Sequence, residues 1–374
     1  MAKRHQEGAG DWQALALRLD ELITAHSGED SFQEAWKLLV ARLVHADTSG
    51  SRGFLADTDR PAAEVSALLD QARNRWPGLL EPDAACRLSA PELHRAAALL
   101  RDADLRADDL VGLDAIFEFI VSRAAKGQKG QFFTPRGVVD DVVTMMSPRA
   151  GERVADPACG SGAFLRHALR NEPRCEVYGF DQDSRAVQVA KTMLAASEQP
   201  CGRVVRLDSL RRPSKAESIE SCMRRAGGEP GFDLVLTNPP FAGDVGESFR
   251  ELYELAAPGR VERDVLFLER CVELLRPGGR LAIVLPHNKV GSARWAFVRR
   301  WLLLQTRVVA VLGLKRDTFL PHTSQKTCVI VAVRRRVPLR VLDEREPILF
   351  FVDDDGLGQA VPAVREGLAL AEGA

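Results

Sequence analysis

The chain has 374 residues, of which 45% are hydrophobic and 28% charged, and its formal net charge is −1. This is the composition of a globular protein with room for roughly two domains, and it excludes a molecule whose whole surface attracts nucleic acid. The seven cysteines form no CxxC pair, so we expect reduced thiols and neither a disulfide framework nor a zinc site.

The chain shows no sign of a membrane or export segment. No apolar run approaches the ~18–20 residues that span a bilayer, and no apolar core follows the charged start, so we expect a cytoplasmic protein. Nucleic-acid binding would need local basic patches or a partner. The candidate patches are Arg206–Lys215, Arg299–Trp301 and Arg334–Arg336, and the alternative for each is an ordinary solvated face.

The first third of the chain is predicted to be helical. Apolar residues recur at three- and four-residue steps throughout 11–125, and Pro61 and Pro91 stand where helices usually begin. We therefore predict an N-terminal helical domain over 1–125.

From residue 126 short β-branched runs alternate with amphipathic helices, which predicts a doubly wound, mostly parallel α/β sheet. The predicted domain covers 126–336, and a short C-terminal extension over 337–374 adds the apolar stretch PILFFV and a terminal helix. The last two strands lack an intervening helix, which predicts a hairpin with one antiparallel strand at the edge. The seven predicted strands lie near 153–156, 176–180, 203–207, 233–237, 280–285, 307–313 and 327–334, and the clearest helices are 184–196, 264–276 and 292–304.

A glycine-containing turn follows the first of these strands, in the sequence VADPACGSGAFL. The strand ends on Asp156, and Gly160 and Gly162 allow the backbone to pass close to a ligand. A turn of this kind is weak evidence alone. Cys159 is better explained as a small turn residue than as a nucleophile, because no base is identifiable beside it.

Acidic residues end the next two strands. Asp181 follows the glycine turn at the distance of a carboxylate that holds ribose hydroxyls, with helix capping as its alternative; Asp183 is the better candidate for the cap. Asp208 is predicted either to accept a hydrogen bond from an adenine amino group or to serve as a turn residue. Ligands of such sheets bind at these strand ends.

The fourth strand stops on Asn-Pro-Pro-Phe, because two prolines cannot continue a ladder. The Asn238 side chain and the Pro239 carbonyl are two rigidly held acceptors for a planar amine, and Pro240 stiffens the turn. Phe241 is positioned to stack on a base, a contact worth ~1–3 kcal/mol. The alternative is a proline-rich turn with a buried phenylalanine.

Together these residues resemble the class I S-adenosylmethionine-dependent methyltransferases, and within them the adenine-N6 DNA methyltransferases. The segments are DPACGSG, NPPF and the preceding GQFFTPRGVVDDVV, in the order of the modification subunits of type I restriction–modification systems. The resemblance covers about 105–335. It implies S-adenosylmethionine as cofactor, DNA as substrate and no metal. It also implies cofactor contacts for Phe133, Thr134, Pro135, Asp156, Ala158, Gly160, Gly162, Asp181 and Asp208, and catalytic roles for Asn238, Pro239, Pro240 and Phe241.

The sequence departs from the pattern of these subunits in two respects. No target-recognition domain is evident, so a separate specificity subunit or another component of a phage-defence system would have to select the sequence. LPHNKVGS, which follows the strand predicted near 280–285, also differs from the Asp-Gly that is usual there.

The alternative functions are a methyltransferase acting on a guanine amine of ribosomal RNA or on a protein glutamine, or a catalytically silent subunit with the same fold.

Overall fold

The structure of the chain is a computed structural model. It describes residues 2–26, 30–49, 53–56, 58–105, 107–124, 133–200, 203–212, 218–225, 231–241, 243, 245, 249, 251–256, 262–320, 323–352 and 356–373. The helices are α1 (Ala2–His26), α2 (Ser31–Ser49), α3 (Pro61–Arg75), α4 (Ala90–Leu100), α5 (Ala107–Ala124), α6 (Arg136–Met146), α7 (Ala163–Asn171), α8 (Ser184–Ala196), α9 (Ile219–Arg225), α10 (Arg263–Leu274), α11 (Asn288–Gly291), α12 (Ala296–Gln305) and α13 (Val361–Glu372). The strands are β1 (Arg153–Asp156), β2 (Glu176–Asp181), β3 (Val204–Arg206), β4 (Phe232–Thr237), β5 (Leu275–Pro286), β6 (Thr306–Gly313), β7 (Thr327–Arg334) and β8 (Leu349–Val352).

The chain forms two compact units, of which the first combines Met1–Gln128 with Ser184–Val204. Helix α8 therefore packs with the N-terminal helices. Inside this unit the Trp36 indole donates to the Thr192 hydroxyl at 2.8 Å, and the Gln33 amide donates to Gln188 at 3.0 Å. The boundary that the sequence predicts between 125 and 126 lies outside the described residues, as does the start of the segment before Phe133.

The second unit, Lys129–Asp183 with Val205–Ala374, carries an α/β sheet with the strand order β3-β2-β1-β4-β5-β7-β6-β8. The predicted fold class is confirmed, and the seven predicted strands are all present. The sheet has eight strands, however, because PILFFV adds β8 in parallel to β6. This edge strand has only four residues and buries its side chains only in part, so its sequence gives a weak strand signal.

The antiparallel strand does not lie at the edge as predicted. Strand β7 runs antiparallel to both β5 and β6 and lies between them. All eight of its residues are buried except the last, since neighbouring strands and packed side chains cover it on all sides. A run of consecutive apolar residues is typical of such an interior strand.

Apolar side chains of β4, β5 and β7 form the main core of this unit with α10 and α12. The sheet is thus a rigid base for the loops that leave its strands. Among the described residues, no helix is both long enough and apolar enough to cross a membrane.

The strand order fixes where a ligand site belongs. The chain runs outward from β1 to β3 and then returns to β4 beside β1, so the order reverses between β1 and β4. Ligands of open α/β sheets bind in the crevice at the carboxyl ends of the strands at such a reversal. Asp156 ends β1 and Asn238 follows β4, so the two best candidate residues leave adjacent parallel strands at the same edge.

Candidate active site

The turn after β1 has the backbone that its glycines predict. Gly160 has φ +50° and Gly162, the residue before α7, has φ +80°, both in the left-handed region that favours glycine. A Cβ atom at Gly160 would meet no atom within 4 Å, so the turn borders open space there. Cys159 is buried, and burial raises the pKa of its thiol, which keeps the thiol protonated and argues against a nucleophile.

Asp156 ties this turn to the strand that carries Asn-Pro-Pro-Phe. Its Oδ1 accepts hydrogen bonds from the Thr237 hydroxyl at 2.7 Å and from the Ala158 amide at 3.1 Å. The side chain is buried, and burial raises the pKa of Asp156 to about 7 against the lowering effect of both hydrogen bonds. The strand ends of β1 and β4 are therefore joined by one buried carboxyl group.

Asp181 joins the end of β2 to the glycine turn by hydrogen bonds from its carboxylate. Its Oδ2 accepts the Gly160 amide at 3.1 Å, and its Oδ1 accepts the Asp183 amide at 2.9 Å, just before α8 begins. Burial raises the pKa of Asp181 to about 6. The carboxylate thus holds the turn and the chain that enters α8; its ribose contact remains a prediction.

Asp208 shows the turn geometry that was its alternative role. Its Oδ1 accepts the Leu210 amide at 3.1 Å, and its Oδ2 lies 3.8 Å from the Arg211 guanidinium. The next residue, Ser209, is buried and donates its hydroxyl to the Pro157 carbonyl at 2.6 Å. The loops after β1 and β3 are joined by this bond, so Asp208 is held beside the glycine turn. An adenine contact is compatible with this placement and stays a prediction.

Asn238 is held by a residue of the segment before α6. Its Nδ2 donates to the Thr134 hydroxyl at 3.0 Å, whereas its Oδ1 is buried and has no hydrogen-bond partner among the described residues. Buried amide oxygens normally have a partner, so this one is a candidate for a ligand contact. Phe133 and Pro135 flank Thr134 and are partly exposed, and Pro135 directly precedes α6.

The rest of the motif forms the wall of the site. Pro239 is buried and Pro240 is partly exposed. The Phe241 ring is 5% exposed and packs edge to face on Phe319, with ring centroids 5.9 Å apart. Phe319 lies in the loop between β6 and β7. The packing fits an aromatic wall, and the stacking role of Phe241 remains a prediction.

Sequence reasoning missed Thr237, Ser209 and Phe319, which hold the predicted residues in place. Thr237 is the last residue of β4 and follows an apolar run. A hydroxyl directly before Asn238 could have indicated a residue that fixes the end of the strand. Ser209 and Phe319 have no local signal, because their partners are far away in sequence. None of the described residues forms a group of three or more His, Cys, Asp or Glu side chains able to hold a metal ion.

These residues fit S-adenosylmethionine, the cofactor that the sequence resemblance implies. The open space beside Gly160 admits a ligand against the backbone of the turn. Asp181 and Asp208 offer carboxylate oxygens to the hydroxyl and amino donors of a nucleoside. The unpartnered Oδ1 of Asn238 belongs to the other side of the reversal, where the acceptor of the methyl group would lie.

The part of the chain that carries these residues is similar to known proteins. The sequence profile of the N-6 DNA methylase family matches residues 106–368. The EcoEI methylase subunit, a type I restriction enzyme component of Escherichia coli, is 26% identical over 209 residues, which cover 54% of this chain and 42% of that protein. The type II methyltransferase M.VspI of Vibrio sp. (strain 343) is 25% identical over 205 residues, which cover 54% of this chain and 47% of that protein. The match thus spans less than half the length of either relative.

A solved structure shares the fold over nearly its whole length. It is the methyltransferase subunit of a type I restriction–modification system from Streptococcus thermophilus, with a TM-score of 0.66, 16% identity, and coverage of 96% of this chain and 93% of that one. The resemblance drawn from DPACGSG and NPPF is confirmed, since the family profile spans both motifs and the residues around them. The chain belongs to the N-6 DNA methylase family.

Proposed function

We propose that the protein transfers the methyl group of S-adenosylmethionine to the exocyclic N6 amine of adenine in DNA. The single observation that carries the proposal is the buried Oδ1 of Asn238, which lacks a partner among the described residues and follows β4 at the reversal of strand order. An amide oxygen in that position is an acceptor for an amine hydrogen. Family membership supplies the substrate class.

The chain's own contribution is orientation. Thr134 accepts a hydrogen bond from Asn238 Nδ2 and so fixes which end of the amide remains available, namely the oxygen. The Asn238 oxygen and the Pro239 carbonyl oxygen would each accept one hydrogen of the amine. Together they would draw both hydrogens out of the plane of the base, which exposes the nitrogen lone pair. When bound, S-adenosylmethionine supplies an activated methyl group with its own leaving group. The protein therefore acts mainly by positioning and electrostatics.

The target adenine must leave the duplex to reach this site. Flipping a base costs a few kcal/mol, which contacts in the pocket must offset. Phe241 is the proposed stacking surface, and its edge-to-face packing on Phe319 holds its ring in one orientation.

We further propose that a separate subunit selects the DNA sequence. The support is that several relatives are named methylase subunits of type I restriction enzymes, a name that implies other subunits in the same enzyme. The net charge of −1 also offers little general attraction for DNA.

The test uses S-adenosylmethionine labelled in its methyl group and three acceptors: unmethylated DNA, ribosomal RNA and a glutamine-containing protein. The chain is assayed alone and after co-expression with the product of the adjacent gene. We expect label in DNA and not in the other acceptors. Label in RNA or protein instead of DNA would overturn the proposal, as would no transfer to any acceptor under both conditions.

A further inference from the structure

Tyr253 links the loop after β3 to the stretch between Asn-Pro-Pro-Phe and α10. Its side chain is 5% exposed, and its hydroxyl donates to the Leu210 carbonyl at 2.6 Å. The guanidinium carbon of Arg212 lies 4.4 Å from the centre of its ring. Burial raises the pKa of Tyr253, so the hydroxyl stays protonated and remains a donor.

A buried carboxylate on α10 makes a second bridge between the same two segments. Glu269 accepts the backbone amides of Glu254 at 2.8 Å and Leu255 at 2.7 Å. The Glu269 Oε1 atom, which accepts the Glu254 amide, also accepts a hydrogen bond from Arg212 Nη2 at 3.0 Å. The two residues that follow Tyr253 and Arg212, four residues after Asp208, are thus fastened to one side chain.

A small apolar cluster, separate from the main core, joins these segments to the glycine turn. Its buried members are Leu210, Tyr253, Ala256, Leu266 and Phe267, and Ala158, Val245, Phe249 and Leu252 pack against it. Ala158 belongs to the turn after β1, and Val245–Leu252 follow the catalytic motif. One cluster therefore contains residues from both sides of the proposed site.

We propose that Tyr253 is a positioning residue for the cofactor: it holds the loop that carries Asp208 against the segment that follows Asn-Pro-Pro-Phe. This inference rests on the proposed function. Tyr253 itself acts through Leu210 and Arg212, which are two and four residues after Asp208. Loss of its hydroxyl leaves the Leu210 carbonyl without this donor. The loop is then held by the Ser209 hydroxyl on Pro157 and by the Arg270 guanidinium on the Ser209 carbonyl, so we expect it to be loosened and not released.

The test is calorimetric titration of the full chain with S-adenosylhomocysteine, the non-reactive product. For Tyr253→Phe we expect a dissociation constant raised at least fivefold with unchanged stoichiometry, and a kcat at saturating cofactor within twofold of the wild type. The matched control is Tyr178→Phe, since the chain has two tyrosines and the Tyr178 hydroxyl donates to Glu176 at 2.9 Å at the start of β2. This control is expected to leave the dissociation constant unchanged.

Glu269→Gln is the second variant and should shift the dissociation constant in the same direction, because glutamine keeps one accepting oxygen and its NH₂ group can only donate, so one of the two backbone amides loses its acceptor. Dissociation constants within twofold of the wild type for both variants would overturn the positioning role of Tyr253 and leave the proposed function standing. An equal shift in Tyr178→Phe would also overturn it, since the effect would then be general. A wild-type chain that binds no S-adenosylhomocysteine would overturn the proposed function as well, whereas binding without methyl transfer would leave the positioning role intact.

Discussion

In the proposed mechanism, the orientation of the Asn238 amide group decides whether the site can bind an amine. Asn238 has a donor end and an acceptor end, and the bond from Nδ2 to Thr134 leaves the oxygen as the free end. The two residues are 104 positions apart, so no local pattern could have predicted their contact. Sequence reasoning located Asn238 because an amide and two prolines stop an apolar run. It assigned Thr134 to the cofactor and did not foresee its bond to Asn238.

Replacing Asn238 with alanine should abolish most of the methyl transfer and leave cofactor binding intact. Loss of one preorganised hydrogen-bonding group in an active site costs about 10²–10³ in rate, and we expect a loss of that size here. The measurement is single-turnover transfer of labelled methyl groups, with the cofactor dissociation constant measured in parallel. Asn171→Ala is the matched control, since the Asn171 amide donates to the His167 carbonyl in α7. A variant at 238 that keeps the full rate would remove Asn238 from the mechanism.

Cofactor affinity should depend on pH through Asp181. Burial raises the pKa of Asp181 to about 6, so the free protein holds a proton there below that pH. A ribose hydroxyl donates to the ionised form, so we expect affinity for S-adenosylhomocysteine to rise between pH 5 and 7 and binding to release a proton. Titrations in buffers of different ionisation enthalpy measure both effects.

The variant Asp181→Asn serves as the control for that titration, because it cannot change its charge. Above pH 7 this variant should bind S-adenosylhomocysteine more weakly than the wild type. Below pH 7 its affinity should change much less with pH than the wild-type affinity does. Asp156, whose pKa burial raises to about 7, supplies any slope that remains. Wild-type affinity that is constant or falls from pH 5 to pH 7 would contradict the assigned ribose contact.

At the scale of elements, the site depends on how the end of β4 is fastened to the end of β1. The Thr237 hydroxyl donates to the buried Asp156 carboxyl, and Asp156 in turn holds the Ala158 amide of the glycine turn. A shift of β4 would therefore move Asn238 relative to the turn.

The substitution Thr237→Val tests this fastening because it keeps the shape of the side chain and removes its hydroxyl. We expect the free energy of unfolding to fall by about 1–3 kcal/mol, since a buried carboxyl group loses a donor. The rate should fall by about tenfold or more, because small displacements of catalytic groups are costly. Urea denaturation and labelled transfer measure the two effects.

Thr306→Val removes a comparable buried hydroxyl at the start of β6, where Thr306 donates to the Leu302 carbonyl at 2.8 Å. It should cost about 0.5–1.5 kcal/mol of stability and leave the rate unchanged. Equal losses of rate in both threonine variants would show that general destabilisation, and not the β1–β4 fastening, governs activity.

Local sequence patterns predicted where strands begin and end better than they predicted which strands lie side by side. The strand from 327 to 334 was located to the residue, yet its place between β5 and β6 was missed, because strand order is set by contacts far apart in sequence. The sequence predicts PILFFV only as an apolar stretch and not as a strand, since an edge strand of four half-buried residues has little periodicity. Thr237 escaped notice because threonine is common in strands.

At the scale of the whole molecule, each basic cluster of the sequence has an arginine that is bonded within the chain. Arg212 donates to Glu269, Arg335 pairs with Glu346, and Arg299 donates to the Ser292 carbonyl at 2.6 Å. Lys215 lies outside the described residues. These three arginines are engaged within the chain, so they are not free contacts for the phosphates of DNA.

The central claim is that Asn238 and Pro239 present the N6 amine of adenine to a bound methyl donor, and product identification tests it most directly. DNA treated with the protein and labelled S-adenosylmethionine is digested to nucleosides and analysed by mass spectrometry. The account predicts that the label is recovered in N6-methyldeoxyadenosine and disappears with Asn238→Ala. Label in a methylated cytosine or guanine, or label in methyladenine that survives Asn238→Ala, would contradict it.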